Sequence, residues 1–238
     1  MKLDILAIGA HPDDVELGAG ATLAKEIEAG KKVGILDLTR GELGTRGSAE
    51  IRDVESQKSA EVLGIQVREN LLLEDGFFEN TKENQLKIVE VIRKYRPEVV
   101  LINAIDDRHP DHPKASQLAS ASCFLSGLVK VKTYRDNKEQ EKWKPKHVYS
   151  YIQWKYLDPD FVVDVSEFMD KKMQAIQQYK SQFFDPNSKE PETPISGKQF
   201  LDGLKHIASE LGRVSGVKYA EGFKVERYPV VDSFFDLK

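Results

Sequence analysis

Short apolar runs alternate with amphipathic helical patterns through the first half of the chain, with only a few residues between them. "LDILAIGA" (3–10), "KVGILDLT" (32–39), "VRENLLL" (67–73) and "EVVLINA" (98–104) read as strands. Between them, residues 14–29 put Leu17, Ala21, Leu23, Ala24 and Ile27 on one helical face, with Gly30 placed as a C-cap. A polar helix over 48–63 stops at Gly64. Another starts at Asn80 or Thr81, carries Leu86, Val89 and Ile92, and ends before Pro97. Strands that alternate with helices in this way pair in parallel, because each helix returns the chain to the same edge of the sheet. The expected fold class is therefore α/β: a Rossmann-like, doubly wound, mainly parallel sheet with helices on both faces, over residues 1–130.

The rest, 131–238, reads as an irregular α+β extension of the same single domain (1–238), completing the rim of the sheet edge where ligands would bind. "VKVKTYRDNKEQEKWKPK" (129–146) is charged and exposed. "HVYSYIQ" and "FVVDVS" read as strands, 166–183 and 197–212 as helices, and "YAEGFKVERYPVV" as a final extended segment. The polar loop "DPNSKEPETPISG" (185–197) is long enough to be mobile or functional.

Composition excludes several classes. A net charge of −4 does not suit a nucleic-acid binder. One cysteine, Cys123, permits no intramolecular disulfide and fits a reducing compartment. No apolar run reaches the roughly 18 residues that span a bilayer, and "MKLDILAIGAHPDD" is not a signal peptide. The expectation is a cytoplasmic protein without nucleic-acid or membrane partners. There is no G-x-G-x-x-G: "GAGATL" (18–23) falls inside the first helix, where glycines serve close packing, so no nucleotide cofactor is expected.

Two polar clusters each follow a strand: "AHPDDVE" (10–16) and "IDDRHPDHPKA" (105–115). Either alone would read as a turn. In a parallel sheet both emerge at the carboxyl edge, where ligands bind. His11 and Asp14, with His112 from the second loop, make a three-ligand N/O set that leaves a position for water, the pattern of a catalytic zinc site. A closed structural site would need cysteines, and magnesium an oxygen-rich shell; iron(II) and cobalt(II) could substitute for zinc. Asp13 is then free as general base for a water whose pKa zinc lowers. His109, as an imidazolium, would stabilise an oxyanion or protonate a leaving amine. Asp111 is expected to orient a ligand histidine from behind, and Glu16 to serve as a helix N-terminal acid or a similar support.

These motifs resemble those of the LmbE/PIG-L-like de-N-acetylases, whose A-H-P-D-D-x-E and H-P-D-H signatures stand at 10–16 and 109–112. "LTRGELGTRG", Arg52, "EDGFF", "YKSQ" and "YAEGF" extend the likeness along the chain. Among subgroups, the chain is most similar to the bacillithiol-biosynthesis deacetylases, which remove acetate from N-acetylglucosaminyl malate. The resemblance implies zinc on His11, Asp14 and His112, Asp13 as base and His109 as the electrophilic or acid partner. It implies sugar or carboxylate contacts from Arg52 and Arg108, and a homo-oligomer, commonly a hexamer. It also implies a tyrosine from the C-terminal half near the metal, but "SGKQFLDG" offers Phe200, leaving Tyr219 as the alternative.

The expected activity is hydrolysis of the acetamide of an N-acetylglucosamine conjugate. Chitooligosaccharides and other thiol-conjugate amides are alternative substrates. A non-catalytic metal- or sugar-binding module is the alternative from another class; it would not require the base Asp13 or His109. Trp143, Trp154, Tyr149 and Tyr151 are expected to pack or line an interface rather than form a sugar platform.

Overall fold

Strand β1 (Ile5–Gly9) is buried along its whole length, as only the middle of a sheet covered on both faces allows. In the computed structural model, which describes residues 1–237, β1 lies parallel between β2 (Val33–Asp37) and β4 (Val99–Ile102), Ile5 facing Val33 on one side and Val99 on the other. β3 (Val67–Asn70) continues the parallel sheet beyond β2, and β7 (His147–Tyr151) beyond β4. β9 (Ala220–Val225) runs antiparallel to β7, and β8 (Phe161–Asp164) antiparallel to β9. The order is β3-β2-β1-β4-β7-β9-β8.

Side chains alternate across the sheet, so each strand feeds two cores. Ile5 and Ala7 pack under helix α1 (Asp14–Glu28) with Val15, Ala19 and Leu23. Leu6 and Ile8 face helices α3 (Lys82–Tyr95) and α4 (Asp111–Ser126), through Ile88, Ile92 and Leu118. Helices α2 (Ala49–Leu63) and α5 (Met169–Ile176) lie beside α1. The glycines of α1 do serve close packing: a Cβ on Gly18 would stand 2.2 Å from the Tyr151 ring.

Local signals set the helix ends. Ser48 and Thr81 cap α2 and α3, each accepting a backbone N–H at 3.3 Å. Gly64 closes α2 at φ 86°, a left-handed position that glycine adopts without strain.

The C-terminal part departs from the expected irregular extension, since its strands β7, β8 and β9 complete the main sheet. The helix expected over 166–183 stops at Ile176, and the chain turns to bury Tyr179 and Phe183. Inside the charged segment, β5 (Tyr134–Arg135) and β6 (Lys138–Glu139) form a hairpin. Its turn, Asp136–Asn137, has positive φ at both positions, the geometry a two-residue hairpin needs, without the glycine that usually signals it. Helix α6 (Lys198–Ser215) ends at Gly216 and precedes β9. No helix among the described residues is long and apolar enough to cross a membrane.

Candidate active site

The carboxyl ends of β1 and β4 are adjacent, and a side chain ties them: the Ala10 N–H donates to Asn103 Oδ1 at 2.9 Å. His11, Asp13 and Asp14 leave the first end as the chain turns into α1. His109 and His112 flank the start of α4 beyond the second. The three imidazoles converge, with ring centroids 4.7 Å apart for His11–His109, 5.1 Å for His109–His112 and 5.7 Å for His11–His112.

Asp14 is the hub. Its Oδ2 accepts the His11 backbone N–H at 2.9 Å and Asn103 Nδ2 at 3.1 Å, while Oδ1 accepts Gln153 Nε2 at 2.9 Å. Two ring nitrogens also face it: His112 Nε2 at 3.0 Å and His11 Nδ1 at 3.5 Å. The other nitrogen of each ring points at carboxylates. His11 Nε2 reaches Asp75 at 3.0 Å and Asp111 at 3.3 Å, and His112 Nδ1 bonds Asp107. With those nitrogens donating, the lone pairs of His11 Nδ1 and His112 Nε2 converge on the Asp14 carboxylate. Such a donor set fits a divalent cation, with outer carboxylates fixing each ring's tautomer.

Two clusters of metal-ligating side chains therefore share His11: His11–His109–His112 and His11–Asp75–Asp111. The carboxylates of the second are already engaged. Asp75 Oδ2 accepts the Leu43 N–H at 2.9 Å, Asp111 Oδ2 accepts the Gly76 N–H at 2.8 Å, and Asp111 is wholly buried. Asp14 lies 3.5 and 3.0 Å from ring nitrogens of His11 and His112, so these three residues could hold an ion at the cavity, with His109 alongside. Asp111 stands behind His11, as the sequence suggests. Asn103 and Gln153 are additions that the motifs do not reveal, while Asp75 in "EDGFF" and Asp107 in "IDDRHPDHPKA" fall in segments read from the sequence without a role assigned to them.

Asp13 points elsewhere. It occupies the N-cap of α1 at φ 119° without making a capping hydrogen bond, a costly backbone state for a non-glycine residue and one that clusters at functional sites. Its carboxylate accepts from Arg52 Nη2 at 2.8 Å. Burial, together with the neighbouring Asp14 and Glu16 charges, pushes Asp13 up to about 7 against the pull of Arg52. A carboxyl poised near neutral pH suits a general base.

The other expected site residues have partners of their own. Arg52 gives its remaining contacts to the Pro12 and Gly41 carbonyls, at 2.8 and 3.2 Å, and its guanidinium, bonded to Asp13, is part of the cavity lining. His109 Nδ1 accepts the Asp111 backbone N–H at 3.3 Å, and burial and the His11 and His112 charges hold its pKa down. With Nδ1 accepting, Nε2 is the ring nitrogen left to donate a proton. Glu16 is bonded to Arg68 at 2.6 Å, Ser59 at 2.7 Å and Tyr179 at 2.8 Å. Arg68 also grips Asp37, at 2.7 and 2.9 Å, so Glu16 braces α1 against the sheet and bonds to none of the clustered histidines. Arg40 pairs with Asp53 and Glu50, and Arg46 is buried against Gln182 and Ser188.

These side chains open into a cavity of about 670 Å³. Asp13, Asp14, His11, His109 and His112 form its floor. Arg108 and Trp154 stand at one side, Leu43 and Thr45 at another, and Thr193–Ile195 and one face of α6 enclose the rest. Part of the 185–197 loop therefore has a place at the site. Trp154, expected to pack, is 43% exposed at this wall. No tyrosine lines the cavity among the described residues; Tyr219 packs into the core below α6, and Phe200 is at the wall.

Comparison with known proteins agrees with this geometry. The family model for GlcNAc-PI de-N-acetylase (PIG-L) matches residues 6–123, which span both motifs. Diacetylchitobiose deacetylase of Thermococcus kodakarensis is 31% identical over 231 residues, covering 92% of this chain and 82% of the relative. Among solved structures, the conserved protein TT1542 from Thermus thermophilus is 36% identical with a TM-score of 0.85, covering 98% of each chain. The N,N'-diacetylchitobiose deacetylase from Pyrococcus horikoshii, solved with an inhibitor, is 26% identical with a TM-score of 0.78, covering 98% of this chain and 88% of that one. With two strand-end motifs converging on one cavity and this extent of likeness in sequence and fold, the chain belongs to the GlcNAc-PI de-N-acetylase (PIG-L) family.

Proposed function

We propose that the protein is a divalent-metal-dependent de-N-acetylase that hydrolyses the acetamide of an N-acetylglucosamine conjugate, with zinc as its ion. The observation that carries this reading is the division of labour between adjacent carboxylates. Asp14 is shared by two imidazole lone pairs, while Asp13 is turned to the cavity and held apart by Arg52.

His11, Asp14 and His112 would hold the ion, which when bound supplies an activated water and a positive charge for the amide oxygen. Asp13 takes the proton from the attacking water. His109 donates its Nε2–H to the amide oxygen as negative charge develops there. Asp13 then returns its proton to the departing amine, so that acetate and a free amino sugar leave. Asp75, Asp107 and Asp111 keep the ligand rings in one tautomer.

For the conjugate's second half, Arg108 supports N-acetylglucosaminyl malate. Its guanidinium stacks 4.7 Å above the Trp154 ring at the cavity wall and enters no ion pair among the described residues. A carboxylate could occupy it. Diacetylchitobiose is the second reading, favoured by the relative that matches over most of its length. Acetate release from the two substrates, compared in wild type and Arg108→Gln, decides between them. The malate reading expects a loss confined to the malate conjugate; equal loss on both substrates contradicts it.

A further inference from the structure

A second cavity, of about 240 Å³, lies toward the amino ends of β1 and β4, at the sheet edge opposite the reaction centre. It shares no lining residue with the first. Its floor is the side of the sheet that faces α1: Ile5, Leu101 and the rings of Tyr149, Phe161 and Phe223. Tyr149 meets Phe161 edge to face at 5.0 Å, and Phe161 stacks on Phe223 at 5.4 Å.

The C-terminal half of α1 supplies a wall through Thr22 and Glu26, one turn apart on the same helical face. Thr22 is only 6% exposed, yet its hydroxyl has no hydrogen-bond partner. A buried polar group left in that state costs free energy. Glu26 is half-buried, and its carboxylate enters no hydrogen bond or ion pair among the described residues. It also lies in the last turns of α1, where the helix dipole disfavours a negative charge. Neither side chain is placed there for the stability of the helix.

Asp4 and Glu98 add negative charge at the mouth, against Lys31. Asp4 already accepts the Lys32 N–H at 2.8 Å, and Glu98 pairs with Lys2 at 3.4 Å and Lys146 at 2.9 Å. Glu26 is thus the carboxylate with free capacity. The three acids do not gather as metal ligands: among the described residues, such groups occur only around His11.

We infer that this cavity is a second binding site, for a small organic ammonium ion with an aromatic or apolar body. The body rests on the three rings and Leu101, while the ammonium donates to the Glu26 carboxylate and to Thr22 Oγ. Carboxylate and ring faces both attract a cation. At about 240 Å³ the site holds one ring with a short arm, below the size of a drug-like ligand site. The inference does not depend on the deacetylase reading, and either can fail alone.

The test titrates zinc-loaded protein with three probes that share a phenyl ring and a short arm: phenethylammonium, neutral phenethyl alcohol and anionic hydrocinnamate. Calorimetry is expected to show saturable binding of the ammonium, about tenfold tighter than the alcohol, and no binding of the anion. Glu26→Gln should weaken the ammonium about tenfold by removing a charge-assisted hydrogen bond. Thr22→Val should weaken it about fivefold while the melting temperature stays level or rises, because the hydroxyl has no partner in the free protein. An ammonium held at the reaction centre instead would respond to neither substitution. The site is overturned by an absence of saturable ammonium binding up to about 20 mM, or by an alcohol that binds as tightly. Affinities within about twofold of wild type in both variants overturn it as well.

Discussion

Arg52 of α2 donates to the carboxylate of Asp13 at 2.8 Å, and both side chains are buried beside the cavity floor. Arg52 is the positive charge that opposes the rise in the Asp13 pKa. Replacing it with methionine removes that pull, so Asp13 is protonated at higher pH and the acidic limb of the kcat/KM profile shifts upward. The variant should retain its metal and lose kcat at neutral pH by about 10²-fold. Its stability should fall by about 3 kcal/mol, because a buried carboxylate is left without a partner. A pH–rate profile with an unmoved acidic limb would show that Arg52 does not tune the base.

Asp13 and His109 should separate from the metal ligands in one comparison. Asp13→Asn and His109→Gln keep the metal, because neither group is needed to hold it, and each loses about 10²- to 10⁴-fold in kcat. His11→Ala loses metal and activity together. Elemental analysis of the three purified variants, set beside their turnover, makes the distinction. Asp13→Asn without bound metal would move Asp13 into the ligand set.

Gln153 and Asn103 hold the two oxygens of Asp14, at 2.9 and 3.1 Å. Gln153→Leu should weaken metal affinity by about 10- to 100-fold, as removal of an outer partner of a ligand does. Competition with a chromogenic chelator measures this directly. Unchanged affinity would mean that Asp14 is positioned by the His11 backbone N–H and the histidines alone.

Two glycines of α6 should respond in opposite directions. Gly203 lies inside the helix facing open space, so Gly203→Ala raises stability by about 1 kcal/mol. Gly216 closes the helix at φ 77°; alanine there loses about 1 kcal/mol to the strain of a left-handed residue. Denaturant unfolding of both variants gives the signs, and a destabilising Gly203→Ala would contradict the open space at that wall.

What the sequence shows of the fold follows from periodicity. β1, β2 and β4 are short and, Asp37 apart, without polar side chains because both of their faces are buried, and the helices between them carry caps such as Ser48 and Thr81 and the stop at Gly64. The C-terminal strands are legible one at a time. Their membership in the main sheet is not, because β9 pairs with β7 across some seventy residues of intervening chain and no local pattern encodes that pairing.

The site divides along the same line. His11, Asp14 and His112 can be read because each lies in a dense motif at a strand end. Asp107 is hidden in the same loop as one of two adjacent aspartates, with nothing to mark which one faces His112. Gln153 comes from a separate segment and is a residue type common on any surface, and Asp75 stands in "EDGFF", a segment of the family likeness that does not itself show His11 as its partner. Arg52 stands out as a candidate through the family likeness, and only its burial against Asp13 shows which partner it has.

The most direct measurement is acetate release by metal-free and zinc-loaded protein from N-acetylglucosaminyl malate and diacetylchitobiose, with Asp13→Asn as control. Release is expected only from the zinc-loaded wild-type protein, abolished by chelator, restored by one zinc per chain and absent in metal-replete Asp13→Asn. Failure of wild-type protein carrying one metal per chain to deacetylate either substrate, or full turnover by Asp13→Asn, would contradict a metal-dependent deacetylase with Asp13 as its base.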